Sequence, residues 1–211
     1  MQINFKKDVD FQLWETRVEN QQQDIESTVL QYLSPSEYIR LNNLSHTKKQ
    51  REYLYSRALI RSAFSQVFDV PLDYWSIVDS ANTLPVVTNL PVSLNYSLSH
   101  SNNVINFAVS HVPVGIDLEQ YKARKNLLQM AKLFMTKTEY LHLQRLKEME
   151  KQSYFYRIWC AKEAFFKSLD ADSQKSFSPI NISIENNEMH HLDLIDHSDA
   201  LFARIIILRK N

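Results

Sequence analysis

The apolar residues of this chain follow two patterns. In some segments every second residue is apolar, as is typical of strands, and in others the apolar residues are three or four positions apart, as is typical of helices. Alternation with a period of two predicts strands at 11–18, 75–79, 92–99, 104–110, 114–119, 180–185, 189–195 and 201–209. Apolar residues three and four apart predict helices at 22–33, 48–68, 127–134 and about 153–169. Two helix-start signals, Ser34-Pro35 and the capping box of Thr136 to Glu139, predict a short helix after residue 34 and another over 140–149.

Helices are followed by strands in each half of the chain. This order predicts an α+β fold with two similar halves, residues 1–111 and 112–211, which join near residues 111–113. No sequence repeat supports the similarity of the halves.

The composition is that of a folded protein, with 44% hydrophobic and 23% charged residues among 211. Basic and acidic residues each number 24, so the chain has no net positive charge that would attract nucleic acid or an anionic membrane. A phosphate-binding site would therefore depend on a local group of basic residues. Residues 1–10 carry charges without the apolar stretch of a secretion signal, and Ile205 to Leu208 is far too short to span a bilayer. The single cysteine, Cys160, excludes an intramolecular disulfide. We therefore expect a cytoplasmic protein.

The chain contains one glycine, Gly115, where average usage would give about 7%. Rossmann and P-loop phosphate sites need several glycines, because their backbone closely approaches the phosphates. A serine hydrolase is also disfavoured, since its nucleophile turn is flanked by glycines.

Two acids follow Gly115 on a predicted strand. Alternation from Val114 to Glu119 places Asp117 and Glu119 on one face, where two carboxylates can bind a hard cation such as Mg²⁺. An ordinary half-exposed strand shows the same alternation, so this segment alone leaves both interpretations open.

A second charged segment lies on a predicted helix. Glu163 and Lys167 are four residues apart and project from one face, with Lys162 beside them. A surface ion pair would show this spacing too. The aromatic neighbours Trp159 and Phe165 indicate that much of this helix is buried.

The segment NYSLSHS at 95–101 ends a predicted strand with small hydroxyls and one histidine. Ser99 and His100 could donate hydrogen bonds to a phosphate. A solvated loop histidine is the alternative.

The segments SLSHS, GIDLE and KEAFFK, in this order, resemble the motifs of the surfactin-type (group II) 4'-phosphopantetheinyl transferases. The resemblance extends through LSPSEYIRL, REYLYSRALIRS and FMTKTEY and covers roughly residues 30–170. It implies two similar α+β halves related by a pseudo-twofold axis, with a cofactor site between them. It also implies transfer of the phosphopantetheine arm of coenzyme A to a serine of an apo acyl, peptidyl or aryl carrier protein, with release of 3',5'-ADP.

The resemblance assigns a role to each candidate residue. The metal ligands would be Asp117, Glu119 and Glu163, binding Mg²⁺ or alternatively Mn²⁺. Glu163 would also orient or deprotonate the serine, and Lys167 would stabilise the leaving phosphate. The coenzyme A contacts would be Arg40, Arg51, Arg57, Pro85, Ser99, His100 and Lys162.

Two positions depart from the family pattern. Only the proline of a Gly-Lys-Pro stretch is retained in Thr83-Leu84-Pro85, and Glu37 occupies a position that is usually basic. A non-catalytic coenzyme A or carrier-protein binding module is therefore the alternative function, whereas a plain interaction domain would require three motifs to coincide by accident. We expect a monomer with no nucleic-acid or membrane partner, and carrier contacts at Leu127, Leu128, Met130 and Phe134.

Overall fold

The computed structural model of this chain describes residues 11–18, 23–81, 83–184 and 192–209. The chain divides into two compact units. The first comprises Met1–Leu94 and Asn102–His111, and the second comprises Asn95–Ser101 and Val112–Asn211. Helices and strands occur in both, so the predicted α+β class is confirmed. The pseudo-twofold relation of two halves and their division at residue 111 stay predictions.

The described residues form seven α-helices: α1 (Gln23–Leu30), α2 (Pro35–Asn42), α3 (Thr47–Phe68), α4 (Leu127–Ala131), α5 (Lys137–Arg145), α6 (Glu148–Ser168) and α7 (Ala171–Ser176). They form eight strands: β1 (Phe11–Arg17), β2 (Ile77–Val78), β3 (Val86–Val87), β4 (Asn95–Ser101), β5 (Val104–Ser110), β6 (Val114–Gln120), β7 (Leu192–Asp196) and β8 (Phe202–Arg209). Within this described part, no helix combines the length and apolar character needed to cross a bilayer.

The first unit is built around helix α3 and the antiparallel pair of β1 and β5, in which Phe11 lies opposite Ser110. Phe64 of α3 is fully buried, and the aromatic rings that it contacts include Trp75 at 5.4 Å and Phe107 at 5.5 Å between centroids. Offset and edge-to-face aromatic contacts of this kind add to the area that burial removes from water. The apolar stripe predicted for residues 48–68 is therefore the core face of α3.

The second unit is a three-stranded antiparallel sheet in the order β6-β8-β7, with helix α6 packed against β6 and β8. Gly115 of β6 lies so close to α6 that an added Cβ would be 1.8 Å from the carbonyl oxygen of Ala164. No side chain fits at that distance, so a glycine is required here by space rather than by backbone angle. This close approach brings the acids of β6 next to Glu163 and Lys167 of α6.

A buried carboxylate caps helix α2. The hydroxyl of Ser34 accepts a hydrogen bond from the backbone N–H of Glu37, and the carboxylate of Glu37 accepts one from the Ser34 N–H at 2.8 Å. Arg61 of α3 pairs with the same carboxylate at 2.7 Å and donates to the carbonyl of Tyr32. Since Glu37 and Arg61 are both buried, the pair is shielded from water.

The same arrangement recurs at the start of α5. Thr136 and Glu139 form the capping box, again with an N–H to carboxylate distance of 2.8 Å. Lys162 of α6 pairs with Glu139 at 2.6 Å and donates to the carbonyl of Phe134, two residues before the cap. The predicted capping box is confirmed. The structure also shows that a local arrangement is repeated in the two units, although no repeat was detected in the sequence.

Several predicted boundaries were wrong. The predicted strand 180–185 has no strand among its described residues, because Pro179 starts a 3₁₀ turn over Pro179–Asn181 and the apolar side chains that follow pack against the core of α6. Helix α5 ends at Arg145 and α6 already begins at Glu148, so the predicted break after 149 is misplaced. Strand β4 begins three residues after the predicted start, and residues 189–191 of the strand predicted at 189–195 lie outside the described part.

Candidate active site

Asp117 is the centre of a polar cluster on strand β6. Its carboxylate oxygen Oδ1 is 2.7 Å from Lys167 Nζ and accepts a hydrogen bond from the Ser99 hydroxyl at 3.1 Å. The Asp117 side chain is only 8% exposed. Its second oxygen, Oδ2, is buried without a hydrogen-bond partner among the described residues. The buried thiol of Cys160 also lies near this carboxylate, and the charge of Asp117 contributes, after burial, to raising the pKa of that thiol. A buried carboxylate oxygen without a partner is costly, and a cation bound to it would relieve that cost.

Lys167 connects helix α6 to strand β6. Besides Asp117, its ammonium donates to the backbone carbonyl of Ile116 at 3.2 Å and to the Ser99 hydroxyl at 3.4 Å. Because 29% of its side chain is exposed, Lys167 can be reached from solvent while it is paired with Asp117.

The negative charge of Asp117 affects the pKa values of two nearby carboxylates, Glu163 and Glu119. Burial, followed by that negative charge, raises the pKa of Glu163 above its usual range, while Lys167 acts in the opposite direction. The same two causes raise the pKa of Glu119, and hydrogen bonding from the Trp159 side chain opposes them. Like charges in a partly desolvated place disfavour ionisation, and a bound cation would relieve that repulsion.

The carboxylates of Asp117, Glu119 and Glu163 are chemically suited to bind a hard cation. Carboxylate oxygens are the protein ligands that Mg²⁺ prefers, and it usually keeps several waters or phosphate oxygens beside one or two of them. Yet no group of three His, Cys, Asp or Glu side chains in the described part of the chain is placed to hold an ion. Since Lys167 and Ser99 hold Asp117, the side chains of Glu119 and Glu163 would have to move towards it on binding.

Trp159 interacts with Glu119, a role that the sequence did not predict; its aromatic character indicated only that the helix is buried. Its ring packs edge-on against Phe134 at 4.9 Å between centroids, which fixes its orientation. From there it opposes the raised pKa of Glu119. Its position four residues before Glu163 on the same helix is the signal that could have revealed this role.

Ser99 and His100 are adjacent on β4 but differ in environment. Ser99 is buried, with its hydroxyl directed to Asp117, whereas His100 is exposed. Alternate residues of a strand point to opposite sides, which explains the difference. His100 is thus free to meet a ligand from solvent, and Ser99 belongs to the cluster around Asp117.

Lys162 lies apart from this cluster. Its ammonium is 3% exposed and makes three contacts, with Glu139 and with the carbonyls of Phe134 and Pro179. An ammonium has three donors, so none is left over. Burial lowers the pKa of Lys162, and its hydrogen bond to the Glu139 carboxylate opposes that shift.

The candidate residues of the first unit are largely occupied. Arg57 is buried and paired with Asp79 and Glu37, and its guanidinium lies over the ring of Tyr53. Arg51 pairs with Glu26 at 2.6 Å. Pro85 is buried, and Arg40 is half-buried with no ion pair to another described residue. Of these four candidates, Arg40 is the one whose charge is open to a ligand.

A comparison with known proteins places these residues in context. The family model for the 4'-phosphopantetheinyl transferase superfamily matches residues 113–208, which include β6 and α6 with Asp117, Glu163 and Lys167. Curated relatives extend the similarity towards the first unit. The 4'-phosphopantetheinyl transferase psf-1 of Bacillus pumilus is 30% identical over 70% of this chain and 62% of its own length.

The second unit of this chain is thus similar to the 4'-phosphopantetheinyl transferase superfamily. Sfp of Bacillus subtilis, also named a 4'-phosphopantetheinyl transferase, is 27% identical over 76% of this chain and 74% of its own. HetI of Nostoc is 29% identical over 81% of this chain and 71% of its own. The predicted resemblance to this transferase family is confirmed. The family model does not reach Ser99, His100 or the arginines. The roles assigned to individual residues, inside and outside the matched range, stay predictions.

Proposed function

We propose that this protein transfers the 4'-phosphopantetheine arm of coenzyme A to a serine hydroxyl of an apo carrier protein of the acyl, peptidyl or aryl type. The observation that carries this proposal is the cluster on β6 and α6, where Asp117 is held by Lys167 and keeps one buried oxygen unengaged. Names of relatives support the transfer. Coenzyme A as the donor and a carrier serine as the acceptor are proposed from the resemblance of the sequence motifs to this family.

In the proposed reaction the serine oxygen forms a new bond to the phosphorus that carries the pantetheine arm. The bond from that phosphorus to 3',5'-ADP breaks, and the serine proton is accepted by Glu163, directly or through water. Lys167, which is 29% exposed, would exchange its long 3.4 Å contact with Ser99 for the departing phosphate and stabilise the charge that develops there. Phosphoryl transfer depends mostly on positioning and neutralisation of charge, which these residues can supply.

Mg²⁺ is the proposed metal, with Asp117, Glu119 and Glu163 as its ligands. When bound, it would neutralise the pyrophosphate of coenzyme A. Asp117 would then offer Oδ2, because Oδ1 is already held by Ser99 and Lys167. His100 and Arg40, which are open to solvent in their own units, are the proposed phosphate contacts. Lys162 and Arg57 are not among the proposed phosphate contacts, since buried carboxylates already pair with both.

Carrier docking is proposed near helix α4. Leu128 and Leu133 are exposed there, at 36% and 75%. Phe134, which the sequence analysis placed among the carrier contacts, is 4% exposed and packs against Phe155 and Trp159, so it belongs to the core.

The test is the intact mass of an apo carrier protein after incubation with coenzyme A, Mg²⁺ and this protein. The proposal expects a mass gain of one phosphopantetheine on the carrier, no gain with Glu163→Gln, and no gain with excess chelator. Glu148→Gln is the matched control, because Glu148 is an exposed glutamate of the same helix. Binding of coenzyme A without any mass gain would instead establish the non-catalytic binding module.

A further inference from the structure

One edge of strand β6 makes hydrogen bonds to serine side chains, where a neighbouring strand would offer backbone carbonyls. Strand β8 pairs with β6 on one side. On the other side, the backbone N–H groups of Ile116, Leu118 and Gln120 donate to serine hydroxyls of β4, each at 3.1 Å. The acceptors are Ser97, Ser99 and Ser101, in that order. Unpaired edge groups must find partners, and here three alternate serines provide them.

The three contacts form a regular series, which we call the serine ladder. Each N–H lies 19 residues after its serine, so β4 and β6 run in the same direction along the ladder. A hydroxyl that accepts an N–H still has its own hydrogen to donate. The serine ladder therefore fixes the register of β6 and leaves a donor at every second residue of β4.

Ser99 uses that donor on the carboxylate of Asp117. Its hydroxyl donates to Oδ1 at 3.1 Å while it accepts from the Leu118 N–H and from Lys167. The one donor and both acceptor sites of the hydroxyl are thus in use, and the residue is 5% exposed. A coenzyme A phosphate could bind Ser99 only by breaking one of these contacts.

We infer that Ser99 is a positioning residue, which orients Asp117 so that its second oxygen faces a bound divalent cation. This inference rests on the proposed function, and it replaces the expected contact between Ser99 and a coenzyme A phosphate. Two contacts hold Oδ1, and Oδ2 is the buried oxygen without a partner in the described residues. Groups that hydrogen-bond a ligating carboxylate set its orientation, and their removal commonly costs ten- to a hundredfold in metal affinity or activity.

The experiment measures Mn²⁺ binding to the free protein by electron paramagnetic resonance, without coenzyme A. Ser99→Ala should weaken Mn²⁺ binding by roughly ten- to a hundredfold. Ser97→Ala is the matched control: it also removes one rung of the serine ladder, but no contact joins Ser97 to Asp117 within the described structure. Its Mn²⁺ affinity should stay within about threefold of the wild type, since its effect on Asp117 is only indirect.

A second measurement separates a positioning role from a phosphate contact. Binding of 3',5'-ADP in excess chelator, followed by calorimetry, should be unchanged in Ser99→Ala. Loss of nucleotide binding with unchanged Mn²⁺ affinity would overturn the inference and restore the phosphate contact. Equal loss of Mn²⁺ affinity in Ser97→Ala and Ser99→Ala would also overturn it, because the ladder as a whole would then be responsible.

Failure of the proposed function is distinguishable from failure of the inference. A wild type that binds Mn²⁺ in a Ser99-dependent manner but modifies no carrier protein would refute the transfer alone. A wild type with no measurable Mn²⁺ binding would overturn the inference, since the oriented carboxylate would then prepare no cation site.

Discussion

Lys167 Nζ lies 2.7 Å from Asp117 Oδ1, so a lysine of helix α6 is bound to a carboxylate of strand β6. The pair crosses the interface at which Gly115 lets the helix approach the sheet. In the proposed reaction the same lysine also meets the departing phosphate. In that reaction Lys167 would link Asp117, a proposed metal ligand, to the leaving group.

Replacing Lys167 by methionine should lower turnover roughly a hundredfold, because losing one donor to a developing charge commonly costs that much. The methionine keeps most of the side-chain stem, so the fold should persist. Steady-state kinetics at saturating coenzyme A would measure the loss, and circular dichroism would check the fold. Lys175→Met, which removes an exposed lysine of α7, serves as the control. Turnover within twofold of the wild type would show that Lys167 only holds the structure together.

Replacing Lys162 by methionine should destabilise the protein by about 3–5 kcal/mol, since the buried Glu139 would lose the cation that compensates it. Urea denaturation would measure the loss. Adding Glu139→Gln should recover part of it, because glutamine removes the buried charge and can still accept the N–H of Thr136. If Lys162→Met instead kept full stability and bound coenzyme A tenfold more weakly, the phosphate contact expected from the sequence would be restored.

Tyr53 should make the protein less stable at alkaline pH. Burial, opposed by Arg57 and assisted by the hydrogen bond to Asp79, raises the pKa of Tyr53 above its usual value near 10. Above about pH 10 the unfolded tyrosine loses its proton while the folded one keeps it, so stability falls as pH rises. In Tyr53→Phe this fall should be shallower, by up to about 1.4 kcal/mol per pH unit.

Urea denaturation between about pH 8 and pH 11, a range that spans the usual tyrosine pKa, would measure this difference. Tyr74→Phe, at an exposed tyrosine, should leave the pH dependence unchanged. A parallel pH dependence in Tyr53→Phe and the wild type would contradict the assignment.

Reversing the charges of Lys125 and Lys132 should weaken carrier binding, because both lysines are exposed beside the apolar residues of α4. The resemblance to the family leads us to expect an acidic carrier surface, and like charges would then repel it. The Michaelis constant for the carrier should rise roughly tenfold and depend less on salt. Lys48→Glu with Lys49→Glu makes the same charge change on α3 and should have little effect. An unchanged Michaelis constant for the carrier in the first variant would exclude this docking face.

The parts of the site that the sequence predicted are those with short-range spacing. Asp117 and Glu119 share a face because strands have a period of two, and Glu163 and Lys167 share one because helices have a period of 3.6. Both patterns can be read within a few residues. The α+β class followed from the same periodicities.

The parts that the sequence did not predict depend on contacts between distant residues. Glu139 and Lys162 are 23 residues apart, so the sequence showed a capping box and a helical lysine but not their pairing. Ser99 was expected to contact a phosphate. Its actual partner, the Asp117 carboxylate, lies 18 residues later on another strand, and the sequence did not reveal that contact. The alternating Ile180, Ile182 and Ile184 looked like a strand, yet alternation alone does not supply a neighbouring strand.

The scarcity of glycine also affects the unfolded chain. Left-handed backbone angles in the described residues are adopted by Asp69, Asn102 and Asn103, with φ of 54°, 46° and 66°, where other proteins often place glycine. Residues with a Cβ have fewer unfolded conformations to lose, so folding costs this chain less conformational entropy than a glycine-containing version would pay. Substituting glycine at Asn102 would ease the local backbone but enlarge the unfolded ensemble, and the two effects oppose each other.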